Sequence, residues 1–130
     1  MKRSDDWPER LFEYMDARRS VPFKWRDNDC STFACGAVYA MTGERLEIPA
    51  AESPEAYARL LRDQGPLQSM VEALLGDPIA PAYAQRGDVV LLTLDGRETL
   101  GVCVGMDIAG PGADGLALVP MACAVAAWRI

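Results

Sequence analysis

The sequence predicts an α+β domain in which helices come first and a mainly antiparallel sheet follows. Three observations carry this. As far as Gly76, apolar residues recur three and four apart between helix caps and helix stops. From Val89 onward the pattern becomes continuous, β-branched apolar runs. Those runs are joined by glycine-bearing turn signals such as Asp95-Gly96. A chain of 130 residues with no internal repeat and no low-complexity linker is read as one domain, 1–130.

The first helix is expected over 5–19. Asp5 or Asp6 can cap it, Pro8 suits its first turn, and Leu11, Phe12 and Met15 share a face. Pro22 breaks the helical pattern across Ser20–Arg26. A second helix is expected from Ser31 to Met41, with Phe33, Ala34, Ala37, Val38 and Met41 at core spacing and Gly43 as its stop. Ser53-Pro54-Glu55 opens a third, to about Asp63. A fourth runs over 67–75, between Gly65-Pro66 and Gly76. Strands are expected at Val89–Leu94, Leu100–Met106, Leu116–Val119 and Cys123–Ile130, with a loop at Gly110–Gly115.

Composition narrows the function. Half of the residues are apolar and a quarter charged, which suits an ordinary globular protein and not a disordered one. The net charge of −6 argues against a nucleic-acid backbone or an anionic membrane as partner. No apolar run approaches the ~20 residues needed to cross a bilayer. The opening MKRSDDWPERLFEY lacks the apolar stretch of a secretory signal, so synthesis in a cytoplasm is expected. The chain contains no histidine. This removes a histidine general base, a Ser-His or Cys-His dyad and any histidine-ligated metal.

The cysteines are Cys30, Cys35, Cys103 and Cys123, with no CxxC pair. In a reducing compartment they are expected as free, buried thiols rather than disulfides. Cys30 and Cys35 lie five apart on a helix, poor geometry for one ion, so no zinc site is expected. Asp27, Asn28 and Asp29 lack the loop glycine and final bidentate acid of a calcium loop; capping and turn-making explain them better. No cofactor and no metal are expected.

The segment Trp25-Arg26-Asp27-Asn28-Asp29-Cys30-Ser31-Thr32-Phe33 could carry chemistry. A thiol at the first turn of a helix faces outward-pointing N–H groups and the positive end of the macrodipole, which lowers its pKa and activates it. Asp27 and Asp29 oppose that effect; Lys24 and Arg26 can offset them. The other reading of Cys30 is a buried thiol without chemistry. Trp7, Trp25 and Trp128 could anchor a partner or fill a core; core is favoured for Trp25 and Trp128, and Trp7 stays open. Arg18-Arg19 reads as a solvated helix end. The Gly110–Gly115 loop, with Pro111 and Asp114, is either a contact loop or a plain connection.

Asp29-Cys30-Ser31-x-Phe33 at a helix start resembles the nucleophile segment of NlpC-type papain-like cysteine peptidases. Gly87-Asp88-Val89-Val90-Leu91 and Leu100-Gly101-Val102-Cys103-Val104-Gly105 resemble the strands that follow in those domains. The whole chain resembles a family of small phage and prophage proteins of this superfamily, encoded among tail genes. Its matching features are Trp7-x-x-Arg10-Leu11, Phe23-x-Trp25, Met41-Thr42-Gly43, Gly87-Asp88 and Ala127-Trp128-Arg129-Ile130. The resemblance implies a papain-like fold, N-terminal helices followed by a mainly antiparallel sheet, with Cys30 as the vestigial nucleophile between Asp29 and Ser31. It places Thr99 where the catalytic histidine belongs, and the third, orienting residue in Leu118–Cys123, which holds only apolar side chains, cysteine and proline. Threonine does not accept a proton near neutral pH. The function implied is therefore structural: an inactive domain at a tail tip or hub, docked onto other tail proteins, found in the host cytoplasm during assembly and then in the virion tail. The alternatives are a cysteine hydrolase of peptidoglycan or another amide, with a carboxylate such as Glu98 or Asp95 as base, and a tail assembly factor.

Overall fold

The computed structural model describes all residues, 1–130. Four helices, α1 (Trp7–Ala17), α2 (Cys30–Thr42), α3 (Pro54–Gln64) and α4 (Leu67–Leu75), precede five strands. The strands are β1 (Val89–Leu94), β2 (Arg97–Cys103), β3 (Asp107–Gly112), β4 (Gly115–Pro120) and β5 (Ala124–Trp128). They form one sheet in the order β4-β3-β2-β1-β5, with every neighbouring pair antiparallel. The α+β class follows directly.

Local chemistry sets most boundaries. Ser53 accepts the Ala56 N–H at 3.0 Å and starts α3. Gly43 ends α2 in the left-handed conformation, φ 77°, where a side chain would be strained. At α1 Asp6 stands at the N-cap position, as expected, but its side chain accepts no helix N–H. The Asp6 carboxylate instead accepts from Arg10 Nε at 2.8 Å, one turn on.

The sheet needs three corrections. β2 begins at Arg97, not Leu100, because Asp95 and Gly96 both take positive φ and close a two-residue hairpin that pairs Leu94 with Arg97. The loop expected at Gly110–Gly115 is the end of β3, a tight turn at Ala113-Asp114 and the start of β4. Glycine and proline content disguised this strand. Pro111 is tolerated because β3 pairs with β2 only at Ala109 and Ile108, so the N–H that proline lacks has no partner to miss. Cys123 lies in a short 3-10 turn, Met121–Cys123, before β5.

Apolar side chains cover both sheet faces, which is why Val89–Leu92 reads as an unbroken apolar run. On one face Ala34 and Val38 of α2 and Leu67 and Val71 of α4 pack on Val89, Leu91, Leu100 and Trp128. Beside them Leu11 of α1 and Phe33, Ala37 and Met41 of α2 pack on Val102 and Ala109. On the other face Val90, Leu92, Cys103, Ile108 and Ala127 lie under Ile79, Ala84, Val119, Met121 and Cys123. Trp128 is buried and donates its Nε1–H to the Gly76 carbonyl at 3.0 Å.

One polar knot crosses the core. Asp88, fully buried, accepts from Arg3 Nη2 at 2.9 Å, Ile130 N at 3.1 Å and Gln85 N at 2.8 Å. Arg3 also donates to the carbonyls of Ile130 and Arg86. Gly87 must be glycine: its φ is 94°, and a Cβ would fall 2.8 Å from both Arg3 Nη1 and Met41 Sδ.

Candidate functional site

The start of α2 is built by the preceding loop. Lys24 and Asn28 exchange two backbone hydrogen bonds, closing a tight loop with Arg26 at φ 71°. The Asn28 side-chain amide donates to the Val21 and Pro22 carbonyls, tying the loop to the extended stretch that Pro22 imposes. Asp29 then caps α2: Oδ1 accepts the Thr32 N–H at 2.9 Å, Oδ2 accepts the Arg26 N–H at 3.0 Å, and the Asp29 N–H donates to Thr32 Oγ1 at 2.9 Å. This reciprocal cap is what places Cys30 at the first helical position.

Around Cys30 is a recess of about 120 Å3, walled by Phe23, Trp25, Asp29, Ser31, Tyr57, Arg97, Glu98 and Thr99. An apolar slot of about 100 Å3 shares Phe23, Cys30 and Thr99 with it and continues past Leu100 and Gly101 to Gly110 and Pro111. The slot exists because β3 leaves β2 after Ala109, so the sheet splits where α2 begins. Phe23 meets Trp25 edge-on with ring centres 5.0 Å apart, and Trp25 leans on Tyr57 at 5.9 Å.

Cys30 is partly exposed as a residue, yet its thiol is enclosed, and burial pushes its pKa up. The Leu100 backbone amide and Ser31 favour the thiolate; the Asp29 carboxylate opposes it. The Ser31 hydroxyl lies 3.9 Å from the sulfur. Desolvation thus acts against the helix start and leaves the thiol pKa raised. Lys24 pairs with Asp27 at 3.1 Å and so offsets one of the acids, while Arg26 is engaged with Glu52. Cys35, also half-buried, is pushed up by burial as well.

The two carboxylates that could serve as base are placed differently. Glu98 lines the recess, but its Oε1 accepts the Leu67 N–H at 3.0 Å and so caps α4. Asp95 sits exposed in the β1–β2 turn. The neighbour of β2 is β3, so a residue on the following strand falls in Asp107–Gly112 and not in Leu118–Cys123. There Ile108, Gly110 and Pro111 line the slot, all without a polar side chain.

The structure therefore brings Asp29, Cys30, Ser31, Trp25, Thr99 and Pro111 around one recess and slot. Trp25 is half-buried over it, not in the core. Trp7 lies apart, half-buried against the α1–α2 core with the Arg3 guanidinium 4.2 Å above its ring. Asp114 is exposed at the β3–β4 turn. No three cysteine, aspartate or glutamate side chains converge as metal ligands would. Sequence reasoning missed Tyr57, whose hydroxyl donates to the Glu98 carbonyl at 3.2 Å and is pushed well above its ordinary pKa, chiefly by burial. Its place on α3 was readable; its partner, 41 residues on, was not.

Residues 2–130 match the family described as "Domain of unknown function (DUF6950)", and the chain belongs to it. No curated protein matches the chain.

Proposed function

We propose that this DUF6950 domain is a catalytically silent, NlpC-type papain-like scaffold that serves as a structural component of a phage or prophage tail, docking onto other proteins at the tail tip or hub. The observation that carries the silent half of this reading is the Cys30 recess. A helix-start thiol meets the strand bearing Thr99, as a nucleophile and its base would meet, yet burial raises the thiol's pKa, the chain has no histidine, and the carboxylates lining the recess, Asp29 and Glu98, cap α2 and α4. Loss of the general base alone removes several orders of magnitude from a triad-type reaction. The order of helices before an antiparallel sheet, with a cysteine opening the central helix, supports the papain-like half. The tail assignment rests on the resemblance of the whole chain to phage tail-gene proteins, and it carries the expected location: host cytoplasm during assembly, then the particle.

The test is mass spectrometry of purified tails or particles beside the lysate. Stoichiometric presence in the particle supports a structural component. Presence in the lysate alone makes the chain an assembly factor. Turnover of cell-wall peptides between roughly pH 5 and 9, abolished by Cys30→Ser, would overturn the silent reading.

A further inference from the structure

Ala51 and Leu67 are buried, and between them the chain spans residues 52–66 with one buried side chain, Tyr57. Seven of the eleven residues of α3 are exposed, and Leu61 is its one side chain packed against the core cluster beneath α2 and α4. A segment with so few buried contacts opens at a fraction of the free energy that holds the whole domain. A helix of eleven residues is also marginal in water once it is detached.

Tyr57 latches this segment. Its ring leans on Trp25, and its hydroxyl donates to the Glu98 carbonyl at 3.2 Å. The Glu98 side chain accepts the Leu67 N–H at 3.0 Å, so one residue of β2 pins the end of the segment and takes the latch as well. Glu52 pairs with Arg26, but both side chains are largely exposed and such a pair adds little. Tyr57 is also a partition. On one side of it lies the Cys30 recess, and on the other a groove of about 270 Å3 between α3 and the turn at Gly96. Recess and groove share Tyr57, Arg97 and Glu98.

We propose that residues 52–66 form a lid over the Cys30 recess, hinged beside Ala51 and Leu67 and latched by Tyr57. With the latch released, recess and groove join into one cleft that reaches the thiol from the α3 side. The sheet and α2 stay folded through this opening, because Ala51 and Leu67 remain buried and Glu98 keeps its bond to Leu67. A reagent therefore meets Cys30 by local opening of α3, not by unfolding of the domain. The lid follows from the geometry around Cys30 alone, so the presence or absence of the chain in tails does not bear on it.

The test is the rate of Cys30 alkylation by iodoacetamide at fixed pH, read on the Cys30 peptide by mass spectrometry, beside amide hydrogen exchange of the same samples. Tyr57→Phe keeps the ring and removes the latching hydroxyl. It is expected to speed Cys30 alkylation roughly 3–10-fold, the share of one neutral hydrogen bond. Amide exchange across α3 should quicken by the same factor, because the freed helix does not hold its own hydrogen bonds, while β1 and β5 exchange as in the wild type. Unchanged alkylation in a folded Tyr57→Phe overturns the lid, and so does equal acceleration of exchange in α3 and in the sheet. The wild type alone supplies a second measurement, which decides if Tyr57→Phe fails to fold. In sub-denaturing urea its alkylation should rise with a slope of roughly a tenth to a fifth of the m-value of global unfolding, in keeping with the small surface a lid exposes. A slope of half that m-value or more means that Cys30 is reached only by unfolding, and a slope of zero means that it needs no opening; either result overturns the proposal.

Discussion

Replacing Asp88 by alanine is expected to be the most damaging single polar substitution in this chain. The carboxylate is fully buried and accepts from Arg3, Ile130 and Gln85 at 2.8–3.1 Å. Truncation leaves two backbone N–H groups without their acceptor. It also strands the Arg3 guanidinium, whose side chain is only 17% exposed. Breaking a buried pair from one side costs about 3–5 kcal/mol, a large share of the ~5–15 kcal/mol that holds a domain folded. With an unfolding entropy of about 2.1 cal/mol/K per residue, 130 residues give ~0.27 kcal/mol/K, so each kcal/mol moves Tm by about 4 °C. Asp88→Ala should therefore lower Tm by roughly 11–18 °C. Thermal melting followed by circular dichroism, with urea unfolding to check an unchanged m-value, reads this directly. The double variant Arg3→Ala/Asp88→Ala should be less damaging than the two single effects added, because the stranded cation is gone. A loss under about 1 kcal/mol in Asp88→Ala, or strict additivity in the cycle, would refute the account of the knot.

Cys30 alkylation should reach half its maximal rate above the ~8.5 of an ordinary thiol; a midpoint below that value would mean the helix start outweighs burial after all. The folded chain holds protons that the unfolded chain releases at Cys30, Cys35, Tyr14 (pushed up to about 12) and Tyr57. Stability should therefore fall as the solution is made alkaline, from about pH 8 upward, and a flat or rising profile there contradicts the burial of these groups. Gly115→Ala sets a Cβ 2.3 Å from the Arg19 carbonyl at φ 138° and should cost more than about 2 kcal/mol by urea unfolding. Thr32→Ala removes half of the reciprocal cap on α2 and should cost about 1 kcal/mol, with Thr32→Ser close to wild type.

Elements whose signals are local were legible in the sequence. α4 and β1 lie where spacing and punctuation put them, since Gly65-Pro66, Gly76 and the run Val89–Leu94 each act within a few residues. β3 was not legible, because whether Gly110-Pro111-Gly112 is a strand depends on Leu116 and Ala117 across the turn and on the absence of a β2 partner for Pro111. The site divides the same way. Asp29 as a cap and Cys30 at the first helical turn follow from the order of residues. The sign of the thiol's pKa shift does not, because it depends on burial where Phe23 and Trp25 of the preceding loop meet Tyr57 of α3 around the recess. Glu98 shows the limit most plainly: as a sequence it is a carboxylate beside Thr99, and in the fold it is the cap of α4.

Both segments that resemble a peptidase have work to do in the fold itself. Gly87-Asp88 and Asp29-Cys30-Ser31 can be read as traces of a peptidase, but each has a mechanical role that needs no catalysis. Asp88 joins the segments around Arg3, Gln85 and Ile130, and Gly87 lets Arg3 and Met41 approach it. Asp29 fixes the start of α2, the helix that contributes to both core clusters on its side of the sheet. Cys30 packs against that same cluster at the point where β2 and β3 part. A nucleophile, by contrast, needs a base; the chain has no histidine, and Glu98, the carboxylate nearest in sequence to Thr99, caps α4 through Oε1. Under the proposed scaffold reading these mechanical roles are reason enough for both segments, because a fold supplies a shape whether or not its sites turn over a substrate.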